Sequence, residues 1–186
     1  MSKVAVFIDG SNLYHGAQRA GIAQMIDVPK FAAKLVGERY LVRTYYYIAP
    51  VPQAMDEENA KKQQRFLQRL YEAPYLDVRK GRLARRGNRW EEKGVDALLC
   101  TDMVFMAAKE LYDVAVLVSG DGDLAYTAQA VKDLGRHVEN AYFRKGRSDH
   151  LTQRCDKFIE LNSAFFQDCL VRERPKLPVS VRPKVS

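Results

Sequence analysis

The chain holds few of the residues on which soft-metal and redox chemistry rests: three histidines and three cysteines in 186 residues. His15, His137 and His150 are scattered and fall into no ligand or acid–base motif. Cys100, Cys155 and Cys169 are odd in number, widely spaced and set in segments that read as helix. That pattern suits neither a disulfide framework nor a zinc site and leaves them as packing residues. No apolar run approaches the roughly 20 residues that span a bilayer. The apolar start, Val4–Ile8, is too short and too abruptly ended by Asp9 for a secretion signal, so a cytoplasmic protein is expected. There is no internal repeat. No Gly-x-Gly-x-x-Gly follows the first apolar run, which argues against dinucleotide binding.

What is present is positive charge, a net +7 with a pI near 9.3, and its location matters more than its size. Residues 79–93 carry Arg79, Lys80, Arg82, Arg85, Arg86, Arg89 and Lys93 against only Glu91 and Glu92. Residues 172–186 carry Arg172, Arg174, Lys176, Arg182 and Lys184 against Glu173. The rest of the chain is slightly acidic. Confinement to two stretches suits a polyanion gripped at particular places, although charged loops serve equally as solvated surface.

Apolar patterning alternates strand and helix. Val4–Ile8 and Val114–Val118 are uninterrupted apolar runs, as in strands buried on both faces of a parallel sheet. Leu41–Ile48 is rich in β-formers, and His137–Phe143 gives a further strand. Helices are expected over Leu13–Ala23, Pro29–Gly37, Met55–Tyr71, Val95–Leu111, Leu124–Leu134 (with Gly135 as its C-terminal cap) and Ser148–Glu160. Residues 76–91 read as a hairpin, Leu76–Lys80 turning at Gly81 into a second strand, with another turn near Arg86-Gly87-Asn88. The expectation is a three-layer α/β domain, Rossmann-like, with a mostly parallel central sheet and an inserted basic hairpin over residues 1–170. Residues 171–186 read as a disordered, proline-containing basic tail.

In open α/β sheets, sites form beyond the carboxyl ends of strands, near the point where strand order reverses. Both pure apolar strands end in aspartate: Phe7-Ile8-Asp9-Gly10-Ser11-Asn12 and Val118-Ser119-Gly120-Asp121-Gly122-Asp123. As sheet neighbours they would lie about 5 Å apart and bring Asp9 and Asp121 to one crevice. Lys93-Gly94-Val95-Asp96 supplies a further carboxylate at a helix start, where Asp96 reads equally as an N-cap. Asp102, about 120° further round that helix, ranks second. Clustered, unpaired carboxylates persist only when protons or cations neutralise them. With no His or Cys nearby the ligands are hard oxygens, which select Mg²⁺ or Mn²⁺, the ions of phosphodiester hydrolysis. The basic hairpin leads straight into Asp96, so a phosphate backbone held by Arg82, Arg85, Arg86, Arg89 and Lys93 would end beside the carboxylates. Tyr45, Tyr46 and Tyr47 read better as core than as base-stacking platforms; Trp90 reads as either.

The three segments Phe7–Asn12, Glu92–Asp96 and Val118–Leu124 together resemble an NYN domain of the LabA-like bacterial group, among the PIN-like nucleases. The likeness runs from about Val4 to Leu161. It implies a PIN-like sheet and Mg²⁺- or Mn²⁺-dependent RNA cleavage. Asp9 matches the family's first-strand acidic ligand, Asp96 the aspartate of its Lys-Gly-x-Asp motif, and Asp121 and Asp123 its Ser-Gly-Asp-x-Asp motif. Asn12 matches the polar residue that orients the first carboxylate or a phosphate. Asp102 falls where many relatives keep an aspartate, and Leu124 departs from a common phenylalanine. The expected partner is RNA, single-stranded by preference, with no membrane and with homodimerisation left open. Two other readings compete. A non-catalytic RNA-binding module would need the arginines but not the full acidic set. A phosphatase of the haloacid dehalogenase type would need an acid where Ser11 stands.

Overall fold

A computed structural model describes residues 1–87 and 89–171. The expected tail at 172–186 lies outside the described residues. The chain runs β1 (Lys3–Asp9), α1 (Gly10–Arg19), α2 (Val28–Val36), β2 (Tyr40–Ile48), α3 (Glu57–Tyr71) and β3 (Leu76–Lys80). It continues through β4 (Arg82–Arg86), β5 (Arg89–Lys93), α4 (Val95–Ala108), β6 (Val114–Val118), a 3-10 turn at Gly122–Leu124, and α5 (Ala125–Asp133). It closes with β7 (His137–Phe143), α6 (Asp149–Arg154), β8 (Lys157–Leu161) and α7 (Ser163–Phe166).

Six strands form one parallel sheet in the order β3-β2-β1-β6-β7-β8. The two pure apolar strands are its centre: Phe7 pairs with Leu117 and Ile8 with Val118. Burial on both faces explains their composition. Val4, Val6 and Ile8 face one core, where Leu13 and Ala17 of α1, Phe31 and Leu35 of α2, Leu67 of α3 and Phe166 of α7 pack. Ala5 and Phe7 face the other, with Leu99 and Met103 of α4, Ala128 and Val131 of α5 and Leu151 of α6. The result is the expected three-layer α/β sandwich. Tyr45 and Tyr47 point into the second core and Tyr46 into the first, all three buried, so none is a platform for bases.

Two expectations fail. Leu76–Lys80 does not form a hairpin with the strand after Gly81. It adds parallel to β2 as the edge of the main sheet, and the hairpin is the separate antiparallel pair β4–β5. Gly81 marks the exchange, its N–H donating 3.0 Å to the carbonyl of Ile48. The expected helix Ser148–Glu160 stops at Arg154, and Lys157–Leu161 is a strand beside β7. Asp156 forces the break. Its carboxylate accepts from the Val138 N–H at 2.8 Å while its own N–H donates to the Val138 carbonyl at 2.8 Å, which starts the ladder. Gly135 follows α5 with φ 76°, as its capping role requires.

Candidate functional site

Strand order reverses between β1 and β6, since β1 leads outward to β2 and β6 outward to β7. Asp9 is the last residue of β1 and Asp121 lies just past β6, so both stand at the carboxyl end of this switch point. Asp9 is buried and tightly held. It caps α1 by accepting from the Asn12 N–H at 3.0 Å, takes the Asn12 Nδ2 at 2.7 Å, and is reached by the Ser119 hydroxyl at 3.3 Å. Capping and site-forming roles therefore coincide in one residue. Burial raises the Asp9 carboxyl above its ordinary range; the bonds from Asn12 and Ser119 oppose that shift and the charge of Asp96 adds to it.

The other carboxylates come from three different elements. Gly94, with φ 84°, is the N-cap of α4 and offers no side chain, which places Asp96 in the first helical turn rather than at the cap. Asp96 is exposed, and its carboxyl is raised by partial desolvation and by the charges of Asp121 and Asp123. Asp121 caps the 3-10 turn through the Asp123 N–H at 2.9 Å, leaving Asp123 exposed at the rim. Glycine is required beside both motifs. A Cβ on Gly10 would sit 2.6 Å from the Tyr46 ring, and one on Gly120 would collide with the Tyr142 ring and the Gly146 carbonyl.

Glu92 joins this group, although the motif that begins with it points to a role only at Asp96. It ends the basic hairpin, and desolvation, then Asp9 and Asp96, push its carboxyl up to about 7. Its side chain is exposed, so solvent screens what the shift contributes to stability. The one signal in the sequence is an acid next to Lys93-Gly94-Val95-Asp96 in an otherwise basic stretch. Asp102 goes elsewhere. Its carboxylate accepts from the Tyr47 hydroxyl at 2.9 Å and faces Arg79 Nε at 3.6 Å, an ion pair too long for a hydrogen bond. Arg79, one of the cations expected to grip a polyanion, is thus spent on Asp102 and Asp77.

Among the described residues, no Lys, Arg or His forms an ion pair with Asp9, Glu92, Asp96, Asp121 or Asp123 (compare the seventeen pairs formed elsewhere). Nor do three such side chains close around one point as a ready-made metal cage. The donor set nonetheless fits a hard divalent ion: it is all oxygen and uncompensated, and Mg²⁺ takes one or two carboxylates while keeping its waters. The hairpin that carries Glu92 also carries the basic residues, with Arg85 on the face of Glu92 and Arg82, Arg86, Arg89 and Lys93 on the other. Arg82 pairs with Lys93 across the β4–β5 ladder, Leu83 with Glu92, Arg85 with Trp90 and Arg86 with Arg89. Lys93 and Arg86 lean on Glu91 at 2.9 and 3.9 Å, whereas Arg82, Arg85 and Arg89 have no carboxylate among the described residues.

A sheet of this order, with its polar crevice at the switch point, defines a Rossmann-like three-layer α/β protein. The chain belongs to the NYN family: the model of the NYN domain matches residues 3–162. NYN domains are generally nucleases of the PIN-like superfamily, whose members typically use divalent metals. A protein of unknown function from Vibrio parahaemolyticus shares the fold with a TM-score of 0.73 at 21% identity, over 91% of this chain and 96% of that one. The nicotinic acid mononucleotide adenylyltransferase of Plasmodium falciparum aligns at a TM-score of 0.39 and 9% identity, over 89% of this chain and 79% of its own, too weakly to bear on fold or function. No curated protein matches the chain. No helix among the described residues is long and apolar enough to cross a membrane.

Proposed function

We propose that this chain is a cytoplasmic, Mg²⁺- or Mn²⁺-dependent ribonuclease of the LabA-like group that cuts single-stranded RNA internally. One observation carries the reading: five carboxylates from three stretches of chain stand within electrostatic reach of one another at the carboxyl edge of the sheet, with no ion pair to a basic side chain among the described residues. Charges so arranged repel one another: burial raises Asp9, and partial desolvation with mutual repulsion raises Glu92 and Asp96. A divalent ion relieves that repulsion.

Asp9, Asp96 and Asp121 would hold the ion, with Asp123 and Glu92 at the rim. When bound, it supplies a Lewis acid for the phosphoryl oxygen and a more acidic water. The chain's own residues do the rest. Asn12 and Ser119 fix the Asp9 carboxylate, so its position survives loss of the ion. Arg82, Arg85 and Arg89 draw in and orient the phosphate backbone. Trp90 lies on the same hairpin as Arg85 and Glu92, where it offers a surface for an unpaired base. Asp102 acts as the anchor of Arg79 rather than as a ligand. That no three acids close around one point favours a second reading, a module that holds RNA without cutting it.

Purified protein decides between them. With Mn²⁺ or Mg²⁺ it is expected to cleave a single-stranded oligoribonucleotide, and EDTA to stop it. Asp121→Asn is expected to lower kcat by about 10²–10³-fold, the scale for loss of one preorganised electrostatic group, while RNA affinity is kept. Normal cleavage by that variant would remove Asp121 from the site; tight RNA binding with no cleavage by the wild type would establish the second reading.

A further inference from the structure

A second cleft, of about 240 Å³, opens at the same edge of the sheet on the side away from the hairpin. Gly16 and Phe143 line it, and Arg19, Arg144, Lys145 and Glu160 rim it. Glu160 is occupied by Arg144, at 2.6 and 3.0 Å. Arg19 and Lys145 have no carboxylate partner among the described residues, so the cleft keeps excess positive charge.

Two links tie this cleft to the carboxylates. Arg19 Nη2 donates at 3.0 Å to the Tyr142 hydroxyl. That hydroxyl lies 3.0 Å from the Asn12 carbonyl and 3.3 Å from Asn12 Oδ1, and Asn12 Nδ2 holds Asp9 at 2.7 Å. Separately, the loop Arg144-Lys145-Gly146-Arg147 abuts the Gly120-Asp121 turn, since a Cβ on Gly120 would meet the Gly146 carbonyl at 2.7 Å. The cleft is therefore joined to Asp9 by a chain of hydrogen bonds and to the Asp121 turn by a backbone contact.

We propose that Arg19, Lys145 and Arg144 form a second phosphate subsite, which takes a phosphate of the same RNA strand on the far side of the scissile bond from the hairpin. The inference rests on the ribonuclease reading for what the strand is, but its chemistry is independent of cleavage: a guanidinium and an ammonium without counter-charges facing an anion. Strand and centre would then be held from both banks.

The test is binding, read in EDTA so that nothing is cut. A labelled single-stranded oligoribonucleotide is scanned with one neutral methylphosphonate linkage at a time, against wild type and Lys145→Ala. In the wild type, neutralising a linkage in this subsite is expected to weaken Kd about tenfold. In Lys145→Ala the affinity is already about tenfold lower, the salt slope is shallower, and the same neutral linkage costs little more. Arg144→Gln, also exposed, provides a second variant should the first lose its fold. Identical phosphonate profiles in wild type and both variants would overturn the subsite. A wild type that binds with this profile but fails to cleave once Mn²⁺ is supplied would leave the subsite standing and remove the nuclease; RNA that binds neither in EDTA nor with Mn²⁺ would remove both.

Discussion

The acidic edge and the basic hairpin are adjacent but built on opposite principles. Asp9 stands at the end of a central strand, buried, with three hydrogen bonds fixing its two oxygens. The hairpin strands β4 and β5 pair only with each other, expose most of their side chains, and are tied to the body through the partly buried Leu83 and the flanking backbone. Precise chemistry calls for a rigid frame, where a shift of an ångström is costly, whereas gripping a polyanion needs only charge at approximate positions. Mutations on the two sides should therefore fail differently.

Among changes that leave every carboxylate in place, the largest difference is expected from Asn12→Ala. It removes both a bond to Asp9 and the bond that the Gly120 N–H donates to Asn12 Oδ1 at 3.3 Å, so it loosens both arms of the site at once. Loss of an orienting partner of this kind typically lowers metal affinity or activity by about 10–100-fold. The Mn²⁺ concentration giving half-maximal cleavage should rise on that scale while RNA binding in EDTA holds. An unchanged Mn²⁺ requirement would show that Asp9 needs no such support.

A smaller and opposite pattern is expected from Arg85→Ala with Arg86→Ala. Kd for RNA should weaken by about tenfold at moderate salt, and the slope of log K against log salt should fall by about 0.7 for each phosphate that is no longer neutralised. Activity at saturating RNA should stay near wild type. Arg85 contributes more of the effect, because Arg86 already leans on Glu91 whereas Arg85, among the described residues, makes a local bond to the Gly87 carbonyl at 3.1 Å and no ion pair. A fall in saturated activity with an unchanged salt slope would mean the hairpin shapes the reacting centre instead of gripping the strand.

The same contrast governs what is legible in the sequence. Central parallel strands are buried on both faces, so Val4–Ile8 and Val114–Val118 could hardly be anything else, and the aspartates that end them come with them. Edge strands carry no such mark: Lys157–Leu161 is only half-buried and mixes charge with Phe158 and Ile159, which a helix tolerates as readily. Arg79 reads as a free cation because sequence distance hides its pairing with Asp102, and the short step to Asp77 gives no hint of a shared partner. Glu92 is masked by its basic neighbours, and the Arg144–Arg147 loop by the acidic residues that balance it along the chain. Linear sums miss convergence across the sheet edge.

The smallest effect should come from Glu92→Gln, and it joins the two regions, since Glu92 ends the hairpin but faces the acids. Desolvation, then Asp9 and Asp96, raise its carboxyl from 4.5 to about 7. A group whose folded value is raised holds its proton in the native state after the unfolded chain has released it. Its stabilising contribution is therefore fully present below about pH 4.5 and is lost as pH rises through about 7. In metal-free protein, Tm should fall across that window, by no more than on the order of 1–2 °C from Glu92 given its solvent contact. Glu92→Gln should flatten that part of the curve, and added Mn²⁺ should raise Tm most at the high-pH end, where the cluster carries its full charge. The comparison is made by thermal melts in EDTA and in Mn²⁺ from about pH 5 to about pH 8, a window that brackets the folded value. If the variant and the wild type trace parallel curves, Glu92 belongs to the hairpin alone, and the acidic group is left to Asp9, Asp96, Asp121 and Asp123.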